Sequence, residues 1–199
     1  MPRLVDWGAR YEFIREAVVR VAARRGAAAV TLEGVAAELH VSTSTLRRAL
    51  ESPDTLPGMG VRWIARQRHY RRYLRGLPPG ADRGSVEHAV WLLRSELPEV
   101  EEELEQERAW SQLVHGGVGE DIRELQQAED AYVDALVRSV LELRQTEQST
   151  REGQAITVRA VLDGLKAALC RQSITVDAAV QCLDTCLATL SPDDAGSPR

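Results

Sequence analysis

Thr31-Leu-Glu-Gly-Val-Ala-Ala-Glu-Leu-His40-Val-Ser-Thr-Ser-Thr-Leu-Arg-Arg-Ala-Leu50 is the stretch on which the reading of the fold turns. Thr31 stands as an N-cap before Leu32 and Glu33, and Val35, Ala36 and Leu39 supply one apolar face. His40-Val41 makes a turn, Ser42 caps a second helix from Thr43 to Leu50, and Leu46 and Leu50 face inward. Val35, Ala36, Val41 and Leu46 are small or apolar where two crossed helices meet. Helices of only about two turns are not stable alone, so both must pack on the segment before them. The spacing is that of a helix-turn-helix.

Working outward, Phe13, Ile14, Ala17, Val18, Val21 and Ala22 recur at helical spacing between Asp6 and Arg25, and Gly26 is a natural stop. On the other side, Pro53, Pro57, Gly58 and Gly60 mark Glu51–Gly60 as a joint. A basic helix is expected over Val61–Arg75, with Trp63, Ile64, Tyr70, Tyr73 and Leu74 among six Arg. Further helices are expected over 83–97, 99–114, 118–147, 151–171 and 175–190, with breaks at Pro98, Gly116-Gly117, Gly153 and Ser173–Thr175. Strand-like alternation and internal repeats are absent from the sequence. The reading is an all-α fold of about nine helices. A head at 1–52 precedes a helical-bundle body at 57–190 and a polar tail at 191–199, expected to be mobile.

The 199 residues are 44% apolar and 28% charged, enough side chain for a core under a soluble surface. Aromatics at 5%, with Ala, Leu, Val, Arg and Glu abundant, favour helix over strand. No apolar run approaches the ~18 residues of a membrane span. The first residues carry charges and no continuous apolar stretch, so neither a signal peptide nor a membrane partner is expected, and the cytoplasm is the expected location. Three cysteines do not read as a disulfide framework.

The net charge of −5 is unevenly spread. Residues 1–75 hold 14 Arg against 7 Asp and Glu, whereas 76–199 are strongly acidic. A basic head on an acidic body is expected where one end meets a polyanion. The second short helix would present Ser42, Thr43, Ser44, Thr45, Arg47 and Arg48 outward, placing its first residues at base edges in a major groove. Thr31 combines a hydroxyl with free backbone N–H groups, a ready phosphate contact. Arg47 and Arg48 suit phosphate or a guanine edge.

These residues resemble the TetR family of bacterial regulators. The resemblance lies in Arg24-Arg25-Gly26, Val30-Thr31-Leu32-Glu33, Val35-Ala36 and Val41-Ser42-Thr43-Ser44-Thr45-Leu46, and is specific over about residues 10–50. Beyond residue 57 it rests on helix count and on Val161-Leu162-Asp163-Gly164-Leu165, similar to the family's penultimate helix. It implies an all-helical homodimeric repressor on a palindromic double-stranded operator, released when a small effector binds in the body. The departures are His40 where Gly is usual, Arg47 where a phosphate-contacting Tyr is usual, Leu50 for Phe, and Pro53 or Asp54 in place of a Lys. Two rivals stay open: a member that activates or answers to a protein partner, and a helical adaptor whose DNA binding is weak or lost.

The resemblance puts an effector cavity among the body helices, with Trp63, His88, Trp91, Trp110 and Tyr132 as expected lining and His115 as a further polar handle. Val176, Val180, Leu183, Leu187 and Leu190 step by four and three as an a/d seam. With the stripe of Val158, Val161, Leu162, Leu165 and Leu169, and with Gly164 permitting close approach, they suggest a four-helix dimer interface. Cys170, Cys182 and Cys186 read as packing residues. The four His have no metal-ligand spacing, and the Glu99–Glu107 acids read as a solvated face. No nucleophile elbow, Gly-rich phosphate loop or HExxH is present, so neither an enzyme nor a cofactor is expected.

Overall fold

The computed structural model describes residues 7–50, 56–76, 78, 80–116 and 119–190, with side chains from residue 11 onward. The described residues form nine α-helices: α1 Trp7–Arg25, α2 Leu32–Glu38, α3 Thr43–Ala49, α4 Leu56–Arg75, α5 Val86–Arg94, α6 Glu101–Gly116, α7 Glu120–Leu143, α8 Gln148–Cys170 and α9 Val176–Thr189. A single 3₁₀ turn, Ala27–Ala29, follows α1. The expected tail at 191–199 and the Pro53 or Asp54 position lie outside the described residues.

Stops and starts follow local chemistry. Gly26 ends α1 at φ 83°, a left-handed conformation that is cheap only for glycine. Thr31, Ser42, Ser85 and Thr175 each accept a hydrogen bond from the backbone N–H three residues on, capping α2, α3, α5 and α9.

The joint expected at Glu51–Gly60 is corrected over Leu56–Gly60, which is already helix. Pro57 is tolerated there because first-turn N–H groups have no helical partner. Gly60 is needed for packing, since a Cβ would stand 2.7 Å from Val18 Cγ1 and 2.9 Å from Leu113 Cδ1. The break expected at Gly153 is also corrected. Gly153 is helical, and its carbonyl accepts from the Thr157 hydroxyl. The chain turns earlier, at Gln145, a non-glycine held at φ 56°.

The chain divides into two compact units, Met1–His69 with Glu105–Gln127, and Tyr70–Leu104 with Ala128–Arg199. The boundaries between the units fall within helices, between His69 and Tyr70 in α4, Leu104 and Glu105 in α6, and Gln127 and Ala128 in α7. In the first unit Ile14, Val18 and Ala22 of α1 meet Val35 and Ala36 of α2, Leu46 of α3, Val61 and Ile64 of α4, and Leu113 of α6. Phe13, expected inward, is 61% exposed, and Val41 is exposed as well. In the second unit Leu93, Leu97, Val137, Leu141, Val158, Leu162, Leu183 and Leu187 form the core.

Candidate nucleic-acid interface

In the first unit α2 and α3 are the two arms of a helix-turn-helix, joined by Leu39–Ser42. His40 sits at φ 54°, so the turn does use the left-handed position where glycine is usual. Backbone bonds from His40 N to Ala37 O and from Val41 N to Ala36 O close α2. Arg20 donates to Glu38 at 2.9 Å, tying α1 to the end of α2.

Leu46 is 2% exposed and fixes the inward side of α3. Thr31, Ser42, Thr43, Ser44, Thr45, Arg47 and Arg48 are all exposed. The Ser42 hydroxyl accepts from Thr45 N at 3.1 Å and lies 2.9 and 2.7 Å from the Ser44 and Thr45 hydroxyls. The result is a compact row of donors and acceptors at the start of α3. Thr31 Oγ1 accepts from Gly34 N at 3.0 Å, which leaves its own proton to donate outward.

The charge of the head proves less available than its count implies. Of the twelve arginines in residues 1–75 whose side chains are described, ten are ion-paired. Arg68 reaches buried Glu107 at 2.7 Å and stacks on Trp110. Arg71 and Arg75 hold Glu103, and Arg75 also holds Glu99. The expected solvated face at Glu99–Glu107 is therefore largely an ion-pairing face. Arg47 and Arg48 carry no ion pair among the described residues.

The expected effector residues fall in both units. Trp63 and Trp110 belong to the first, where the Trp63 indole donates to Glu12 at 2.9 Å. His88, Trp91 and Tyr132 belong to the second. His88 Nδ1 accepts from Gly84 N, Tyr132 lies under Arg72 with 3.9 Å from guanidinium to ring centre, and the buried Trp91 Nε1–H has no acceptor among the described residues. A cleft of about 370 Å³ in the second unit is lined by Val137, Ala155, Ile156, Arg159 and Ala160, and by none of these five.

The expected dimer residues all lie in the second unit. Val158, Leu162, Leu169, Leu183 and Leu187 are buried in the second unit's own core, and Leu165, Val176 and Val180 pack half-buried against it. Periodicity marked an apolar face correctly but could not say which neighbour covers it. Among the described residues no group of three or more His, Cys, Asp or Glu is placed to hold a metal, and no helix is long and apolar enough to cross a membrane. The three cysteines are free, and burial pushes the Cys186 thiol pKa up.

No family model matches the chain, and no curated protein matches it. Solved structures do. A Rhodococcus sp. protein described as a TetR-family transcriptional regulator matches with TM-score 0.69 at 21% identity, over 92% of this chain and 98% of that one. A TetR-like transcriptional regulator from Rhodococcus sp. RHA1 matches with TM-score 0.67 at 19% identity, over 94% and 96%. A protein from Saccharomonospora viridis solved in complex with choline matches with TM-score 0.68 at 21% identity, over 89% and 95%. With a capped helix-turn-helix at its start and helices throughout, the chain has the fold of the TetR-type transcriptional regulators.

Proposed function

We propose that this chain is a DNA-binding transcription regulator of the TetR type, a homodimeric repressor that a small molecule releases from a palindromic operator. One observation carries the reading. The outward side of α3 gathers hydroxyls and the guanidiniums of Arg47 and Arg48, which have no ion pair among the described residues, whereas the other described arginines of residues 1–75 are spent on carboxylates. In this reading α3 enters the major groove, Ser42, Thr43, Ser44 and Thr45 meet base edges, and Arg47, Arg48 and Thr31 hold phosphate.

Dimerisation then uses the outer faces of α8 and α9. Ile156, Ala160 and Gly164 on α8 and Cys182 and Thr185 on α9 are exposed, and a Cβ at Gly164 would meet nothing within 4 Å. The small Ala160, Gly164 and Cys182 let helices of two copies approach closely, and Ile156 adds apolar area. The effector is assigned to the second unit, where the buried Nε1–H of the half-buried Trp91 has no acceptor among the described residues. An effector releases DNA only by binding the non-binding arrangement of the two heads more tightly than the binding one.

The test is selection of bound fragments from the host genome by the full-length protein, followed by anisotropy on the enriched fragments and on random duplex. Enrichment of an inverted repeat, bound at least about a thousandfold tighter than random DNA, supports the reading. Recovery of unrelated fragments with equal affinity overturns it in favour of an adaptor.

A further inference from the structure

We propose that the first unit carries a site of its own for a small organic anion with a flat apolar body, in the cleft between α1 and the N-terminal half of α4. This goes beyond the regulator reading and does not depend on it. The cleft encloses about 310 Å³, within the range of small-ligand sites. Its walls are of two kinds. Leu50, Met59 and Trp63 are buried and, with the half-buried Tyr11 ring, give an apolar and partly aromatic floor. Arg15 from α1 and Arg62 and Arg66 from α4 bring three guanidiniums to its edge.

Among the described residues the local charge is unbalanced. Arg62 donates to Asp121 at 2.7 Å. Arg15 and Arg66 share one oxygen of Glu12, at 2.9 and 3.3 Å, while the other Glu12 oxygen accepts from the Trp63 indole. Among the described residues, three guanidiniums thus face two carboxylates. Each guanidinium has five N–H donors, so a single shared oxygen leaves Arg15 and Arg66 with donors to spare. A carboxylate entering between them completes the pairing, and its ring system lies on Trp63 and Met59. The apolar floor makes a bare inorganic anion a poor fit, and the cationic rim makes a neutral ring a poor one.

The probe is naphthalene-2-carboxylate, with uncharged naphthalene-2-carboxamide beside it, titrated into ¹⁵N-labelled full-length protein. The Trp63 indole N–H resonance is identified by its loss in Trp63→Phe. The expected result is a saturable shift of that resonance with Kd below about 1 mM for the acid and at least about tenfold weaker binding of the amide. Arg66→Gln, at a side chain 68% exposed, is expected to weaken the acid about fivefold and leave the amide unchanged. Arg138→Gln, in the second unit, is expected to change neither. No saturation by about 5 mM, equal binding of acid and amide, or a shift confined to the Trp91 resonance overturns the proposal.

Discussion

Arg72 clasps Glu96 through both carboxylate oxygens, at 2.8 and 3.1 Å, and through the same guanidinium holds Glu129 at 2.9 and 3.2 Å. Glu96 is 2% exposed, Lys166 Nζ stands 3.8 Å from it, and the Tyr132 ring lies beneath the guanidinium. Two cations thus meet two carboxylates. Burial by itself lowers the Arg72 pKa, but the hydrogen bonds and charges of Glu96 and then Glu129 outweigh it and push it up. Such a cluster contributes little net stability when complete and costs a great deal when broken.

Arg72→Met is therefore expected to destabilise the chain by about 3–5 kcal/mol, because it removes the bidentate guanidinium partner of the buried Glu96 carboxylate. Adding Glu96→Gln to Arg72→Met is expected to restore part of the loss. Urea unfolding of the three proteins measures both effects. A loss under about 1 kcal/mol for Arg72→Met would mean that water screens the cluster.

Tyr132 supplies a pH signature. Burial raises its pKa first, the Glu96 charge adds to this, Arg72 opposes, and Glu129 adds again. The folded phenol keeps its proton at pH values where the unfolded chain, with a pKa near about 10, has lost it. The contribution is full below that value and is lost as pH climbs through the folded pKa. Tyr132→Phe has no such proton, so its stability should fall less steeply than wild type between about pH 9 and pH 11. Parallel slopes in urea unfolding would contradict the assignment.

His40 holds the helix-turn-helix corner at φ 54°. His40→Gly is expected to raise stability by up to about 1 kcal/mol, and β-branched His40→Val to lower it by about 1–2 kcal/mol. Thermal unfolding of the pair decides this, and the opposite order would place the strain elsewhere.

The exposed side of α8 gives a prediction for assembly. Ala160→Arg puts a large cation where close helix approach is proposed, and should convert a dimer to monomer in light scattering without changing the helical content. An unchanged dimer would move the interface off this face.

The local chemistry of the head was open to sequence reading because it is written in adjacent residues. Thr31 and Ser42 cap the helices they were expected to cap, and Leu46 turns inward while Arg47 and Arg48 turn out. What sequence could not give were long-range partners. Arg68, Arg71, Arg72 and Arg75 counted toward the basic charge of residues 1–75, yet their partners Glu107, Glu103 and Glu96 lie more than twenty residues away. Val158 and Leu183 showed a seam, but a period of 3.6 marks an apolar side without naming what covers it. Gln145 turns the chain in a conformation usually signalled by glycine, so the start of α8 was displaced.

On the proposed function, α3 reads DNA with Arg47 and Arg48, which have no ion pair among the described residues. The most direct measurement is the slope of log affinity against log salt on the selected fragment, for wild type and for Arg47→Ala/Arg48→Ala. The double variant is expected to bind more weakly, with a slope shallower by about two per bound head and dimerisation unchanged. Equal affinity and equal slope in the two proteins would contradict this reading.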